Sequence, residues 1–429
     1  MNKAKLAGIS LFIMVLLSIS TAISPAVSPL AAAAFAWFAL ILLIDQLPRS
    51  MLIQASFMVS VGIACMIWSL DSISQVPFDK MLSANHKLLA VIAAVSFLRL
   101  ITQPDPANNA PLPMGKTAML KTLWGLHLFS SVITLSAMII FGSRIEKEAT
   151  ITRLHAIMFS RTFAAGCFWS PFYVAIAVAL LYAPGSDLLI LSLAGIPVAL
   201  FGLALTSWQF VRDKEIESCA GFPVHANALQ IPIALSVLVI IAHVLLPDFN
   251  VLSLISILAL VMTLTILLYQ KRSEAVALYK NHIKTDLPRI NREVTLFLAA
   301  GVMATGLTVL ITNSELSLSV PEFTPLIGCI FILVSTLVSI AGVHPVITIS
   351  VVGSLLSTTE FNPNLLGVCM MMMWGIGIVI SPMSALNLTI QGRFGISSFS
   401  FLRWNAGYTV SLLIFSTALL YLYSYIDLI

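Results

Sequence analysis

Two Ser-Pro dipeptides stand inside long apolar runs, at Ser170-Pro171 and Ser381-Pro382. Proline removes a backbone donor and clashes with the preceding turn, so each should kink or break its helix. In hydrocarbon the freed backbone groups must be met by protein, water or a ligand. Half-helix ends of this kind hold anions on exposed N–H groups and cations on freed carbonyls. Polar residues gather around both dipeptides. In the first half of the chain they are Ser160, Arg161, Thr162, Trp169 and Ser170. In the second they are His344, Pro345, Thr348, Ser350, Ser381, Ser384, Asn387 and Thr389. Ser and Thr in apolar helices ordinarily bond back to their own backbone or pack between helices; Asn387 is costlier to bury and more informative. Arg161 has two readings. It is a flanking cation that snorkels to the interface, or a cation that grips a carboxylate or sulfonate in a bidentate way. Arg393 reads as a flank. His127 and His344 lie near span ends or breaks, where an imidazole is a candidate carrier of a coupling proton.

The chain that must position these residues has 429 residues, 59% hydrophobic and 9% charged. Soluble domains carry roughly 45–50% apolar and about 25% charged residues, so a soluble enzyme and a nucleic-acid binder are excluded. The apolar runs are continuous rather than alternating, which excludes a β-barrel. Five scattered cysteines with no CxxC pair support neither a disulfide framework nor a zinc site. No Gly-rich phosphate loop, HExxH or Ser-His-Asp arrangement is present. Met370–Met373 read as adaptable packing.

Apolar stretches lie near 6–23, 27–44, 51–69, 88–103, 122–142, 163–183 and 188–207, then near 229–247, 251–269, 294–312, 325–343, 365–390 and 406–425. The stretch 88–103 is the weakest, since it is short and carries Arg99. The first stretch follows Lys3 and Lys5 and reads as a membrane helix with its lysines in the cytoplasm, rather than a cleavable signal. The polar stretch 271–293 holds six basic residues and is expected in the cytoplasm, as a linker between an N-terminal half, 1–270, and a C-terminal half, 294–429. The loop 208–228 then falls inside as well, and the loop 313–323, with Glu315 and Glu322, outside.

The two halves resemble each other. Gly166-Cys-Phe-Trp-Ser170-Pro171-Phe172 matches Gly377-Ile-Val-Ile-Ser381-Pro382-Met383. Val132-Ile-Thr-Leu-Ser136 matches Val346-Ile-Thr-Ile-Ser350, and just before each lies Gly-apolar-His, at Gly125-Leu-His127 and Gly342-Val-His344. Three matches in the same order and at nearly constant offset indicate an internal duplication. Basic residues at 144–161 and 271–293, both placed inside, give the matched segments opposite directions. That predicts an inverted repeat of the kind found in secondary transporters.

On these features the chain resembles the ion transporter superfamily of bacterial secondary carriers, which includes divalent anion:sodium symporters, citrate carriers and the large membrane subunits of TRAP transporters. Ser160-Arg161-Thr162 is similar to the Ser-Asn-Thr motif that these families carry at a hairpin tip, with Arg in place of Asn. Ser381-Pro382-Met383-Ser384-Ala385-Leu386-Asn387 is similar to their proline-containing break ending in Asn. Gly342-Val-His344-Pro345 resembles a hairpin element. The resemblance implies an all-α polytopic fold of about 11–13 membrane segments in two inverted repeats, each with a re-entrant hairpin and a broken helix. It also implies a homodimer and, as in TRAP systems, an accessory transport subunit. A fixed cation at Arg161 either replaces a sodium charge or serves the anion directly.

The expected function is movement of a small organic anion across a bacterial inner membrane, coupled to sodium or protons, by alternating access; no enzymatic activity is expected. Ser160, Arg161, Thr162, Ser170 and Pro171 would form one side of the site. His344, Pro345, Thr348, Ser381, Pro382, Ser384 and Asn387 would form the other. No cofactor or resident metal is expected beyond a coupling sodium near Ser170, Ser381 and Asn387, and no nucleic acid among the partners. The alternatives are a cation:proton antiporter, which the scarcity of Asp and Glu in the spans disfavours, and a membrane-embedded lipid-linked sugar transferase or polymerase, which the short external loops disfavour.

Overall fold

The computed structural model describes residues 3–70, 76–101, 111–223, 230–313 and 322–426. Among them the chain is helical, with two isolated β-bridges and no strand. Lipid offers backbone groups no partner, so an apolar chain must satisfy them within its own helices. Eight helical stretches among the described residues are long and apolar enough to cross a bilayer. They make this an all-α, multi-pass membrane protein. Glu315 lies outside the described residues.

In chain order the first helices are α1 (Lys3–Ile23), α2 (Pro29–Leu43), α3 (Arg49–Trp68), α4 (Phe78–Ser83) and α5 (His86–Val95). Then come α6 (Lys116–Ile133), α7 (Leu135–Glu146), α8 (Arg153–Cys167), α9 (Val174–Tyr182) and α10 (Leu188–Arg212). Next are α11 (Gln230–Leu245), α12 (Val251–Lys271), α13 (Ala275–Thr285) and α14 (Asn291–Asn313). The last are α15 (Pro325–Ile340), α16 (Pro345–Leu355), α17 (Pro363–Ile380), α18 (Ala385–Phe394) and α19 (Ser400–Tyr425).

These helices form two compact units. The first comprises Met1–Ile101, Ile241–Phe323 and Val346–Phe361; the second comprises Thr102–Ile240, Thr324–Pro345 and Asn362–Ile429. Each unit draws on chain from both sides of the 271–293 stretch. That stretch is itself largely helical, as α13 and a following 3₁₀ turn.

In the first unit, α3 and α14 meet backbone to backbone. A Cβ built on Gly306 would lie 2.1 Å from the Gly62 carbonyl oxygen, so only glycine fits there. The weak apolar stretch at 88–103 begins within α5, after a left-handed turn at Asn85 with φ 66°. Its ten helical residues run on into a 3₁₀ turn, Ser96–Leu100, and together with α4 they make up one of the eight stretches long enough to cross, Phe78–Leu100, interrupted at the Asn85 turn. Asn85 Nδ2 secures that turn by donating to the Phe297 carbonyl at 2.8 Å.

In the second unit, α17 is buried from Leu365 to Ile380. A helix apolar all round belongs inside other protein, and α8, α9, α10, α15 and α19 pack around this one. The order of elements is the same in α6–α10 and α15–α19: a helix, a turn, a short helix, a helix ending at Ser-Pro, a short helix and a long helix. Their lengths are 18, 12, 15, 9 and 25 residues in the first series and 16, 11, 18, 10 and 26 in the second. The run expected as one span over 122–142 is therefore two helices. Thr134, at φ 50°, divides them without a Gly or Pro to announce it. The corresponding turn after α15 uses Gly342 at φ 95°. The grouping is less symmetric than the order, because α7 belongs to the second unit and α16 beyond Pro345 to the first.

Candidate functional site

Both Ser-Pro dipeptides break their helices, and they do so with the same hydrogen bonds. The serine N–H donates to the glycine carbonyl four residues earlier, Ser170 to Gly166 and Ser381 to Gly377, each at 3.0 Å. The serine Oγ accepts from the N–H two residues on, Phe172 and Met383, each at 3.3 Å. The serine carbonyl accepts from the N–H three residues on, Tyr173 at 3.2 Å and Ser384 at 3.3 Å. Tyr173 and Ser384 are extended, with ψ 143° and 144°, and the next helix starts after each. Hydroxyl-to-backbone turns of this type compete with helix where proline has already removed a bond. Ser170, Pro171, Ser381 and Pro382 are all buried.

The first break is fastened to α6. Ser170 Oγ donates to the Ser131 carbonyl in a short bond. Trp169 Nε1 donates to His127 Nε2 at 3.2 Å, and His127 Nδ1 lies 3.3 Å from the Thr162 carbonyl. An indole only donates, so Nε2 is the acceptor and Nδ1 carries the proton towards Thr162. Both imidazole nitrogens are thus engaged in the neutral form, and a second proton would displace Trp169. On the other side, the Phe168 carbonyl lies against Gly195 of α10, where a Cβ would approach it to 1.5 Å.

The second break is fastened through amides. Pro382 deprives the Ile378 carbonyl of its helical donor. Asn387 Nδ2, one turn into α18, supplies a replacement. It lies 3.4 Å from the Ile378 and Val379 carbonyl oxygens and donates to the Ser381 carbonyl at 2.9 Å. Asn405 of α19 donates from Nδ2 to the Val379 carbonyl at 2.8 Å. Ser384 caps α18 by accepting from the Asn387 N–H at 3.2 Å.

From this break a chain of side chains runs to Arg161. Ser160 Oγ donates to Asn387 Oδ1 at 3.1 Å. Arg161 Nε donates to Asn405 Oδ1 at 2.9 Å, which orients that amide so that its nitrogen faces Val379. The remaining guanidinium contacts are Gln209 Oε1 at 2.6 Å, Thr206 Oγ1 at 3.4 Å and the Trp404 carbonyl at 3.0 Å, with the Tyr408 ring 4.3 Å from the guanidinium carbon. Arg161 is 2% exposed. Among the described residues no carboxylate pairs with it, and it is the only buried lysine or arginine; no Asp or Glu is buried. A buried charge is costly unless neutral dipoles or an opposite charge solvate it. Here four neutral oxygens and a ring do so.

The expected residues are thus partly assembled. Ser160, Arg161, Ser381 and Asn387 join one network, while Thr162, Ser170 and His127 meet at the first break. Thr162 Oγ1 bonds back to the Met158 carbonyl at 2.7 Å, the ordinary fate of a helical hydroxyl. His344 packs edge-on to Trp374 at 5.2 Å, next to Pro345. Thr348 lies on α16, in the other unit. Two expectations are corrected. Ser160-Arg161-Thr162 lies within α8, not at a hairpin tip, because a capping box of Thr152 and His155 starts that helix two turns earlier. Arg161 is an interior residue and does not snorkel. Arg393 is a flank, exposed and paired with Glu146 at 3.2 Å.

Asn405, Gln209, Thr206 and Tyr408 were not anticipated. Asn405 and Gln209 stand just beyond apolar stretches drawn at 406–425 and 188–207, but α19 and α10 run past those limits. A buried amide at a helix end was the available signal.

The fold and this network define a multi-pass α-helical membrane protein with two matching helix breaks in one unit. No protein-family model matches the chain, and no curated protein matches it.

Proposed function

We propose that the chain is a secondary transporter that moves a small organic anion by alternating access across a bacterial inner membrane, coupled to sodium or protons, with the relationship to the ion transporter superfamily suggested by its motifs. The observation that carries this reading is the pair of identically bonded Ser-Pro breaks, one in the fully buried α17 and one at the end of α8 packed on it. Interrupted helices at corresponding places are where transporters bind substrate. A buried guanidinium with only neutral partners beside one of them favours an anion over a cation. Ser160, Arg161, Asn387 and Asn405 would face the substrate. The hydroxyls of Ser381 and Ser384 would hold the break that yields around it. The two halves would act as inverted repeats.

Purified protein in sealed vesicles, offered radiolabelled organic acids with and without imposed sodium or proton gradients, tests the proposal. Gradient-dependent flux of at least one anion is expected. Absence of such flux for every anion offered would overturn it.

A further inference from the structure

We propose that the Arg161 site seats a singly charged carboxylate, without sodium, by exchanging the Gln209 amide for it. This rests on the transport reading above and narrows its substrate class. The chemistry starts from charge balance. Arg161 brings one positive charge into the interior, and among the described residues no buried acid offsets it. One monovalent anion completes the pair. A dianion would leave its second charge buried and unpaired.

The guanidinium's own contacts show where the anion goes. Nε and one terminal nitrogen are fixed by consecutive residues of α19, Asn405 Oδ1 at 2.9 Å and the Trp404 carbonyl at 3.0 Å. That edge orients Arg161. The other terminal nitrogen is held by Gln209 Oε1 at 2.6 Å and by a longer contact to Thr206 Oγ1 at 3.4 Å. Gln209 is half-buried, near the end of α10, and its side chain can swing away. Its amide oxygen occupies the place of a carboxylate oxygen, and the second oxygen reaches the terminal nitrogen that also serves Trp404, which has a further N–H to give.

At the neighbouring break sodium would have to compete with side-chain amides. The carbonyls of Ile378, Val379 and Ser381, which a cation would need, receive amide N–H groups of Asn387 and Asn405.

The test is thermal unfolding of the full chain in detergent, titrated with acetate and benzoate and with succinate, each as sodium and as potassium salts. The expected result is stabilisation by the monocarboxylates, equal in both salts and stronger than by succinate. Arg161→Gln should lose it. Gln209→Ala should tighten the apparent Kd about fivefold, the worth of one competing hydrogen bond. Gln209→Glu places a tethered carboxylate on Arg161. It should unfold at a higher temperature than wild type and no longer respond to acetate or benzoate, so it keeps the test decisive if Arg161→Gln does not fold. A response that persists in Gln209→Glu, that needs sodium, or that is absent in wild type overturns the inference. Anion flux in vesicles that survives in Arg161→Gln overturns it while leaving the transport reading in place.

Discussion

The two helix breaks share the hydrogen bonds made by their serines and differ in how they are held. The break at Ser170-Pro171 is tied outward to α6, through Ser170 Oγ to Ser131 and Trp169 to His127, and lies against Gly195 of α10. The break at Ser381-Pro382 is tied to its own continuation through Asn387, and to α8 and α19 through Ser160 and Asn405. The residue that corresponds to Asn387 after the first break is Ile176, which is buried and apolar. One motif therefore supplies the serine turns of both breaks, and two amides, Asn387 and Asn405, join the second to Ser160 and Arg161.

The sharpest way to break the comparison is at the first break's packing. Gly195→Ala would put a Cβ 1.5 Å from the Phe168 carbonyl oxygen. Its cost should lie at or above the top of the ~1–3 kcal/mol typical of overpacking, seen as lost yield or a large drop in unfolding temperature. No counterpart contact of that closeness exists at the second break. Next, Asn387→Ala should cost roughly 1–3 kcal/mol, because it strands buried carbonyls rather than removing a pair. It should also cost more than Ser170→Ala, at about 1 kcal/mol, since Ser170 caps a single carbonyl, that of Ser131 in the last turn of α6, whereas Asn387 serves several. Equal losses in urea or thermal unfolding would mean that the two breaks are held alike. Smallest is Trp169→Phe, which removes one donor to His127 and should cost about 0.5–1.5 kcal/mol. A near-ultraviolet circular dichroism change confined to this variant would locate the effect.

Much of this comparison could be read from residue order. Proline chemistry locates both breaks, and the repeated Gly-x-x-x-Ser-Pro foretells that they match. What hydropathy conceals is where helices continue past their apolar portion. Gln209 and Asn405 are polar, so an apolar window stops before them, while the backbone stays helical because its hydrogen bonds do not depend on side-chain polarity. Arg161 looked like a flank for the same reason: it precedes an apolar run, but α8 begins at Arg153 under a cap of Thr152 and His155. Thr134 divides a continuous apolar run by a backbone conformation that no residue type there signals. The separation of α16 from α15 is a matter of tertiary grouping, which local pattern does not encode, and it places Thr348 in the first unit.

The four consecutive methionines of α17 acquire a mechanical meaning from their setting. A rod enclosed on all sides usually resists turning, because branched side chains interlock with their surroundings and any rotation opens voids. Met370–Met373 circle the helix with unbranched thioethers that change rotamer at little cost. That one turn of α17 is therefore the most adaptable part of its packing, while the branched residues Ile376, Ile378, Val379 and Ile380 hold the turns that lead to Ser381.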